Sequence, residues 1–358
     1  GQVVEEQMLS DVPLGCFLSG GVDSSLIASL MQSRSGKPIR TFAIGFSEAR
    51  FNEAPHAAAV AQHLQTDHSE FILSEQDALS IIPDLPEIYD EPFADSSQIP
   101  TVLLCREARK SVTVALTGDG GDEVFGGYNR YVIGPKLLSR MKRVPHGLRR
   151  STGRIVSACA PTITQENEWL RRFTSRMRLP VTALDKAAKL ATYLVEINDL
   201  PTLYQHFTRI IHDPEYLLRE AAGASPPMPS FPVEGAEWMM AMDSTTYLLS
   251  DILVKVDRAA MAASLETRAP FLDARVVAAA WGLPLEMKIA EGKGKQVLRS
   301  LLDRHVPRDL IERPKQGFAI PLDRWLRGEL RSWAEGRLSD DELFDLAGIK
   351  PAAVRELW

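Results

Sequence analysis

The feature that most constrains the fold is a glycine-rich turn between a predicted strand and a predicted helix. Residues 14–18 form a short apolar run (LGCFL), Ser19-Gly20-Gly21 follows, and apolar residues then recur at helical spacing from Val22 to Met31. Such runs are typical of strands that are buried on both faces. The helix that starts after the turn has backbone N–H groups without intrahelical partners, and these attract anions. The segment therefore predicts an α/β sheet with an anion site after its first strand.

The alternation of strand and helix continues over the first 130 residues. Further strands are predicted at 41–46, 68–73 and 111–117, and helices are predicted at 52–65 and 99–110. Strands that alternate with helices of this length form βαβ units and a parallel sheet with helices on both faces. Ligands bind such sheets at the carboxyl ends of the strands, near the point where the strand order reverses.

The pattern becomes helical almost throughout from about residue 131. A segment rich in Pro and Ala near 221–235 interrupts it and predicts a loop. We therefore divide the chain into an α/β core (1–135), a helical insertion with the Pro-rich loop (136–235) and a mostly helical C-terminal part (236–358).

Composition argues against several functional classes. The 358 residues contain 41 Lys and Arg against 47 Asp and Glu, and the net charge of −6 does not favour nucleic-acid binding. The three cysteines, Cys16, Cys105 and Cys159, are far apart and fit a reducing compartment better than a disulfide framework or a zinc site. We see neither a signal peptide nor an apolar stretch that would span a membrane, and we expect a cytoplasmic protein.

The first turn continues into the helix as SGGVDSS, residues 19–25. The glycines allow the backbone to approach a ligand, and the hydroxyls of Ser19, Ser24 and Ser25 add donors, which suits phosphate or pyrophosphate. Asp23 beside a phosphate indicates a divalent cation between them; the alternative is that Asp23 only caps the helix. The chain has no Walker-type phosphate loop, which disfavours kinase and GTPase chemistry.

A second glycine-rich turn, Gly118-Asp119-Gly120-Gly121-Asp122-Glu123, follows the strand at 111–117. Three carboxylates so close together repel one another unless a cation or a protonated member relieves them. A solvated acidic turn is the alternative. Because both turns follow strands of one predicted sheet, we expect Asp23 and Asp122 to share Mg²⁺ on a nucleotide pyrophosphate.

Basic residues mark three further segments. Lys255 and Arg258 follow Asp251 at helical spacing, which equally fits surface ion pairs. Lys295 ends the turn GKGK (292–295) before a predicted helix, where it either reaches phosphate or lies in solvent. The turn RPKQGF (313–318) is a similar case, and the basic residues scattered over 142–178 fit a solvated helix face or an interface with another domain.

Taken in order, these segments resemble the synthetase domain of glutamine-hydrolysing asparagine synthetases. The resemblance extends from about Glu5 to about Leu330 and rests on FLSGGVDSS, TFAIGF, EPFADSSQIPT, TGDGGDEVFGGYNRY, VKVDRAAMAASLETRAPFLD, GKGKQVLR and RPKQGFAIPLDRWLRG. It implies that the whole chain is one such domain with the fold of the PP-loop ATP pyrophosphatases. That fold is a five-stranded parallel sheet with flanking helices, followed by a mostly helical C-terminal part that closes over the nucleotide.

The resemblance also implies the reaction and its site. Aspartate and MgATP would form β-aspartyl-AMP and pyrophosphate, and ammonia would then release asparagine and AMP. Lys295 matches a lysine that steadies the pyrophosphate, and Asp119 matches a position where some members have Glu, which helps the intermediate form. Asp23 and Asp122 would bind Mg²⁺. The ATP site would comprise Leu18, Ser19, Gly20, Gly21, Asp23, Ser24, Ser25, Ile44, Thr117 and Gly118.

The amino-acid substrate and the nitrogen source are less constrained. Aspartate needs a cation for its α-carboxylate and a carboxylate for its α-amine, and Ser96, Glu123 and Arg258 are candidates. Family members carry an N-terminal glutaminase domain that supplies ammonia; nothing in these residues corresponds to it, so we expect the chain to use free ammonia. A homodimer is compatible with these observations.

Three alternatives stay open at this stage. The first is the same adenylation applied to another carboxylate, as in sugar amidotransferases, lasso-peptide cyclases and β-lactam synthetases. The second is a catalytically silent nucleotide-binding partner. The third, a tRNA-modifying pyrophosphatase, is disfavoured because the chain lacks a net positive charge.

Overall fold

The computed structural model describes residues 1–48, 51–153, 193–209, 211, 214–220, 228–312 and 320–358. Cys159, the basic residues at 171–178, the first part of the Pro-rich loop (221–227) and the basic turn 313–318 lie outside the described residues.

Five parallel strands form a single sheet in the order β3-β2-β1-β4-β5. The chain runs outward from β1 to β3 on one side and then returns to the other side, so the strand order reverses between β1 and β4. The predicted parallel α/β class is confirmed. The strands are β1 (Leu14–Phe17), β2 (Arg40–Phe46), β3 (Asp67–Leu73), β4 (Val114–Leu116) and β5 (Glu266–Arg268).

Helices cover the sheet and make up most of the described C-terminal part. In chain order they are α1 (Gln2–Gln7), α2 (Val22–Gln32), α3 (Ala54–Leu64), α4 (Glu75–Ile81), α5 (Leu85–Tyr89), α6 (Gln98–Arg109), α7 (Gly121–Phe125), α8 (Asn129–Lys142), α9 (Leu200–Thr208), α10 (Pro214–Leu217), α11 (Gly235–Thr245), α12 (Leu253–Ala262), α13 (Ala274–Trp281), α14 (Leu285–Lys288), α15 (Gln296–Leu302), α16 (Arg308–Ile311), α17 (Leu322–Arg327), α18 (Arg331–Leu338), α19 (Asp341–Leu346) and α20 (Pro351–Leu357).

Alternate residues of the central strands enter different hydrophobic cores. In β2, Ala43 packs into a core with residues of α2 and α15, whereas Phe42 and Ile44 pack into a second core with residues of α4, α6 and α12. In β4, Leu116 and Ala115 divide in the same way. Because successive side chains of a strand point to opposite faces, the sheet is buried on both sides.

The helical pattern that the sequence predicts from residue 236 onward is interrupted in two places. A π-helical segment, Leu248–Ile252, interrupts it before α12, and π-helical turns are frequent at functional sites. The chain leaves the helix after Ala262 and forms β5 at Glu266–Arg268. This strand has three residues, two of them charged, so neither alternation nor an apolar run marks it in the sequence.

The chain divides into two compact units. The first comprises Gly1–Tyr128, Glu215–Ala221 and Met240–Trp358, and it contains the whole sheet. The second comprises Asn129–Pro214 and Ala222–Met239; in it the rings of Tyr204 and Trp238 meet edge to face with centroids 5.7 Å apart.

Two cysteines of the first unit are buried and free, Cys16 in β1 and Cys105 in α6. Burial raises the pKa of each thiol to about 12. Cys16 therefore acts as a small hydrophobic residue, as expected. None of the helices in the described ranges has the length and apolar character needed to cross a lipid bilayer.

Candidate active site

The turn after β1 is held in shape by a glycine and two hydroxyls. Gly20 has a φ of +73°, and a Cβ at this position would lie 2.8 Å from the carbonyl carbon of His56, so only glycine fits. The Ser19 N–H donates to Ser24 Oγ (3.1 Å), and the two hydroxyl oxygens lie 3.0 Å apart. The Gly21 N–H donates to Ser19 Oγ at 3.3 Å.

The start of α2 has no side-chain cap among the described residues. Gly21 occupies the N-cap position and no side chain caps this helix, so the alternative in which Asp23 is a capping residue is wrong. The Ser25 hydroxyl is buried and has no hydrogen-bond partner within the described residues. The open N–H groups and the positive end of the helix dipole favour an anion here.

The turn after β4 packs directly against the first turn. A Cβ on Gly118 would lie 2.9 Å from Asp23 Cβ, and a Cβ on Gly121 would lie 2.7 Å from Asp23 Cγ. Thr117 is buried at the end of β4 and its N–H donates to the carbonyl of Arg268 in β5 at 2.8 Å. The two glycine-rich turns therefore meet where the strand order reverses, as the sequence predicts.

Lys295 joins both turns. Its side chain is only 8 % exposed and forms ion pairs with Asp23 and, at 2.6 Å, with Asp122. Burial opposes the charge on its ammonium, but the two carboxylates outweigh this effect and raise the pKa of Lys295. Its backbone has a φ of +59° and its N–H donates to the carbonyl of Phe125 at 3.1 Å. Lys295 therefore does not lie in a solvated turn.

Asp23 and Asp122 also fit the expected role in binding Mg²⁺. Both carboxylates pair with the same lysine beside the start of α2. No cluster of three or more acidic, His or Cys side chains suited to a metal occurs among the described residues. Mg²⁺ is usually held by one or two carboxylates together with substrate phosphates, which matches this donor set.

The turn after β4 carries two further carboxylates. Asp119 is half-buried, and this burial raises the pKa of its carboxyl above the ordinary range. Glu123 is 1 % exposed, and burial raises its pKa to about 7 although it accepts a hydrogen bond from the Tyr128 hydroxyl at 2.6 Å. Each of these groups therefore holds a proton more readily than a carboxyl in water.

The other predicted site residues lie in different surroundings. Ser96 is half-buried in the loop before α6, and Arg258 forms an ion pair with the exposed Asp90. Leu18 and Ile44 are both buried but belong to different hydrophobic cores. Their positions beside an adenosine or an amino acid remain predictions.

Sequence pattern did not indicate the partners of Lys255 or the hydrogen bond from Tyr128 to Glu123. Lys255 is buried and its Nζ donates to Asp95 Oδ2 (2.6 Å) and Ser97 Oγ (2.9 Å), so it is not a surface residue. The only hint of this contact in the nearby sequence is the acidic character of the loop before α6, in which Asp95 lies three residues before the helix. Sequence spacing could not pair residues 160 positions apart.

Comparisons with known proteins agree with this geometry. A family model described as asparagine synthase matches residues 1–358. A Mycobacterium tuberculosis protein that provisionally carries the name glutamine-hydrolyzing asparagine synthetase is 36% identical over 352 residues, which cover 97% of this chain and 51% of that protein. The glutamine-hydrolyzing asparagine synthetase 1 of Bacillus subtilis is 32% identical over 344 residues, 95% of this chain and 51% of that protein. The chain thus spans about half the length of these curated relatives.

Proposed function

The chain belongs to the asparagine synthase family, and from this membership we propose that it converts aspartate to asparagine with ATP. A carboxylate oxygen of aspartate attacks the α-phosphorus of ATP, and pyrophosphate leaves as β-aspartyl-AMP forms. Ammonia then attacks the acyl carbon, the bond to AMP breaks, and one proton is released as the amide forms.

The observation that carries this proposal is the position of Lys295. It is buried, positively charged and paired with Asp23 and Asp122 where the two glycine-rich turns meet. Negative charge increases on the leaving pyrophosphate during adenylation, and a preorganised cation stabilises that change. The open N–H groups of α2 and the hydroxyls of Ser19, Ser24 and Ser25 would hold the same phosphates.

The remaining roles follow from the donor groups. Mg²⁺, held by Asp23, Asp122 and the substrate phosphates, would neutralise phosphate charge when bound. Asp119, with its raised pKa, would take the proton released from the attacking ammonia. We propose that glutamine supplies this ammonia through a glutaminase domain, because the relatives above carry the name glutamine-hydrolyzing asparagine synthetase and are about twice as long as this chain.

A pyrophosphate-release assay with MgATP tests the proposal. We expect release that depends on aspartate, asparagine formation that also requires ammonium, and loss of both when a chelator removes the metal. Equally fast release with other carboxylic acids would contradict the choice of aspartate and favour a related adenylating enzyme. Nucleotide binding without release for any carboxylate in the panel would favour the silent partner.

A further inference from the structure

Lys255 holds together the loop between α5 and α6. Its Nζ donates to Asp95 Oδ2 at 2.6 Å and to Ser97 Oγ at 2.9 Å. Asp95 Oδ1 in turn accepts from the Ser97 N–H and from the Ser97 hydroxyl, both at 2.8 Å. Lys255, Asp95 and Ser97 thus form a closed network, and we call it the Lys255 clamp.

Ser96 lies between the two loop residues of the clamp. Because the side chains on either side of it are bound to one buried ammonium, the backbone of Ser96 has little freedom to move. Arg258, one turn further along α12, forms an ion pair with Asp90 at the beginning of the same loop. Helix α12 therefore holds the loop at both ends.

The charges around Lys255 connect the clamp to the turn after β4. Burial favours the neutral form of Asp95, but the Lys255 ammonium outweighs this effect and lowers the pKa of Asp95. The same ammonium also favours the ionised form of Asp119. Asp251, in the π-helical segment, has a pKa raised to about 6 by burial and by the charge of Asp95. From α5, the Tyr89 hydroxyl donates to the Lys255 carbonyl at 3.2 Å.

We propose that Lys255 is a positioning residue for adenylation, which keeps the loop at Ser96 in a fixed arrangement beside the amino-acid substrate. The inference rests on the proposed function and adds to it a buried group that serves the amino acid and not the nucleotide. The nucleotide site, built around Lys295, has its own cation and does not share a hydrogen bond with the clamp among those described above.

Kinetics of Lys255→Met and Lys255→Arg, with ammonium as the nitrogen donor, test this assignment. For Lys255→Met we expect the KM for aspartate to rise roughly 10- to 100-fold. This range corresponds to the loss of one hydrogen bond to a charged group. The KM for ATP should change by less than about twofold, well within the effect of one neutral hydrogen bond. The acid limb of the pH–rate profile should move to higher pH, because Asp119 loses a charge that favours its ionised form. Lys255→Arg keeps the charge and should recover most of the loss.

Arg106→Met is the matched control, because it removes an ion pair between α6 and Asp84 (2.8 Å) that lies outside the clamp. If Lys255→Met fails to fold in a thermal melt, Ser97→Ala decides instead. It removes the two hydrogen bonds of the Ser97 hydroxyl, keeps the ion pair, and should raise the KM for aspartate about threefold to tenfold, less than the loss of the ammonium.

The outcomes separate this inference from the proposed function. An active wild type whose folded Lys255 and Ser97 variants keep the wild-type KM for aspartate and the wild-type pH profile overturns the inference alone. Equal losses for aspartate and ATP would also overturn it, since they indicate a general structural role. A wild type that releases no pyrophosphate with aspartate overturns the proposed function, and the inference with it.

Discussion

At the residue scale, the charge of Lys295 is set by its surroundings. A lysine at the end of a GKGK turn is ordinarily solvated, yet here packing leaves it 6 % exposed between two carboxylates. A buried ammonium is unfavourable unless it is paired, and removal of one partner leaves the other charge uncompensated. Asp23, Asp122 and Lys295 therefore depend on each other.

Replacement of Lys295 by alanine is expected to abolish pyrophosphate release while ATP binding is retained. Pyrophosphate release should fall by at least about 100-fold, as on loss of one preorganised donor at a site of developing charge. ATP should still bind, because the N–H groups of α2 and the hydroxyls of the first turn remain. Release rates and equilibrium ATP binding measure the two effects separately.

Lys293→Ala is the control for this variant. Lys293 lies in the same turn, is exposed and pairs with Glu312 at the surface (3.1 Å), so its removal should leave release nearly unchanged. Unchanged turnover in Lys295→Ala would reject the role assigned to Lys295.

At the element scale, the first turn depends on the approach of α3 to the loop after β1. Gly20 adopts a left-handed conformation and its α-carbon faces the backbone of His56 and Ala57. The left-handed conformation disfavours any residue with a Cβ. The backbone next to Gly20 also leaves no room for a Cβ, because it cannot move away as a flexible side chain could. The shape of the proposed phosphate site is thus a consequence of how α3 packs on the sheet.

A Gly20→Ala variant should therefore lose stability. The left-handed conformation alone costs about 1–3 kcal/mol for alanine, and the clash with His56 adds to this. Urea unfolding measures the change. Gly336→Ala serves as the control, because Gly336 lies within α18 and no described atom comes within 4 Å of the place that an alanine Cβ would take. Alanine there should stabilise the helix by about 1 kcal/mol. Equal stability of the Gly20 variant and the wild type would contradict this account.

At the scale of the whole molecule, the pH dependence of stability includes a contribution from Glu123, which is buried just beyond the carboxyl end of β4. Burial raises the pKa of Glu123 from an ordinary 4.5 to about 7. Between these values the unfolded chain loses its proton before the folded chain does. The contribution of Glu123 to stability is therefore fully present below about pH 4.5 and is lost as the pH rises through about 7.

Glu123→Gln should remove this dependence on pH. The amide resembles the protonated acid, so variant and wild type should have similar unfolding free energies at pH 4, and the variant should become more stable by about 3 kcal/mol at pH 8. Urea unfolding in metal-free buffer at several pH values measures the difference. Glu335→Gln, at an exposed ion pair with Arg331 on α18, should show no such trend. A constant difference across pH would refute the assignment.

Local pattern in the sequence was sufficient for the fold class, four of the five strands, the two glycine-rich turns and the family resemblance. Periodicity reports which faces of an element are buried, and glycine reports where the backbone needs unusual angles or a close approach. Both properties depend on residues that are near in sequence. The strand β5 was missed because its three residues take their conformation from pairing with β4.

Only the tertiary structure decided which charged groups meet. Lys295 and Asp23 are 272 positions apart, and Lys255 and Asp95 are 160 positions apart, so no spacing rule connects them. The packing of α15 and α12 against the sheet brings each lysine to its carboxylate and excludes water from the pair. The sequence by itself determined that lysines and carboxylates were available for a nucleotide site. Their pairing and burial, and the raised pKa of Lys295, follow from long-range packing, because the energy of a charge depends on what surrounds it in space.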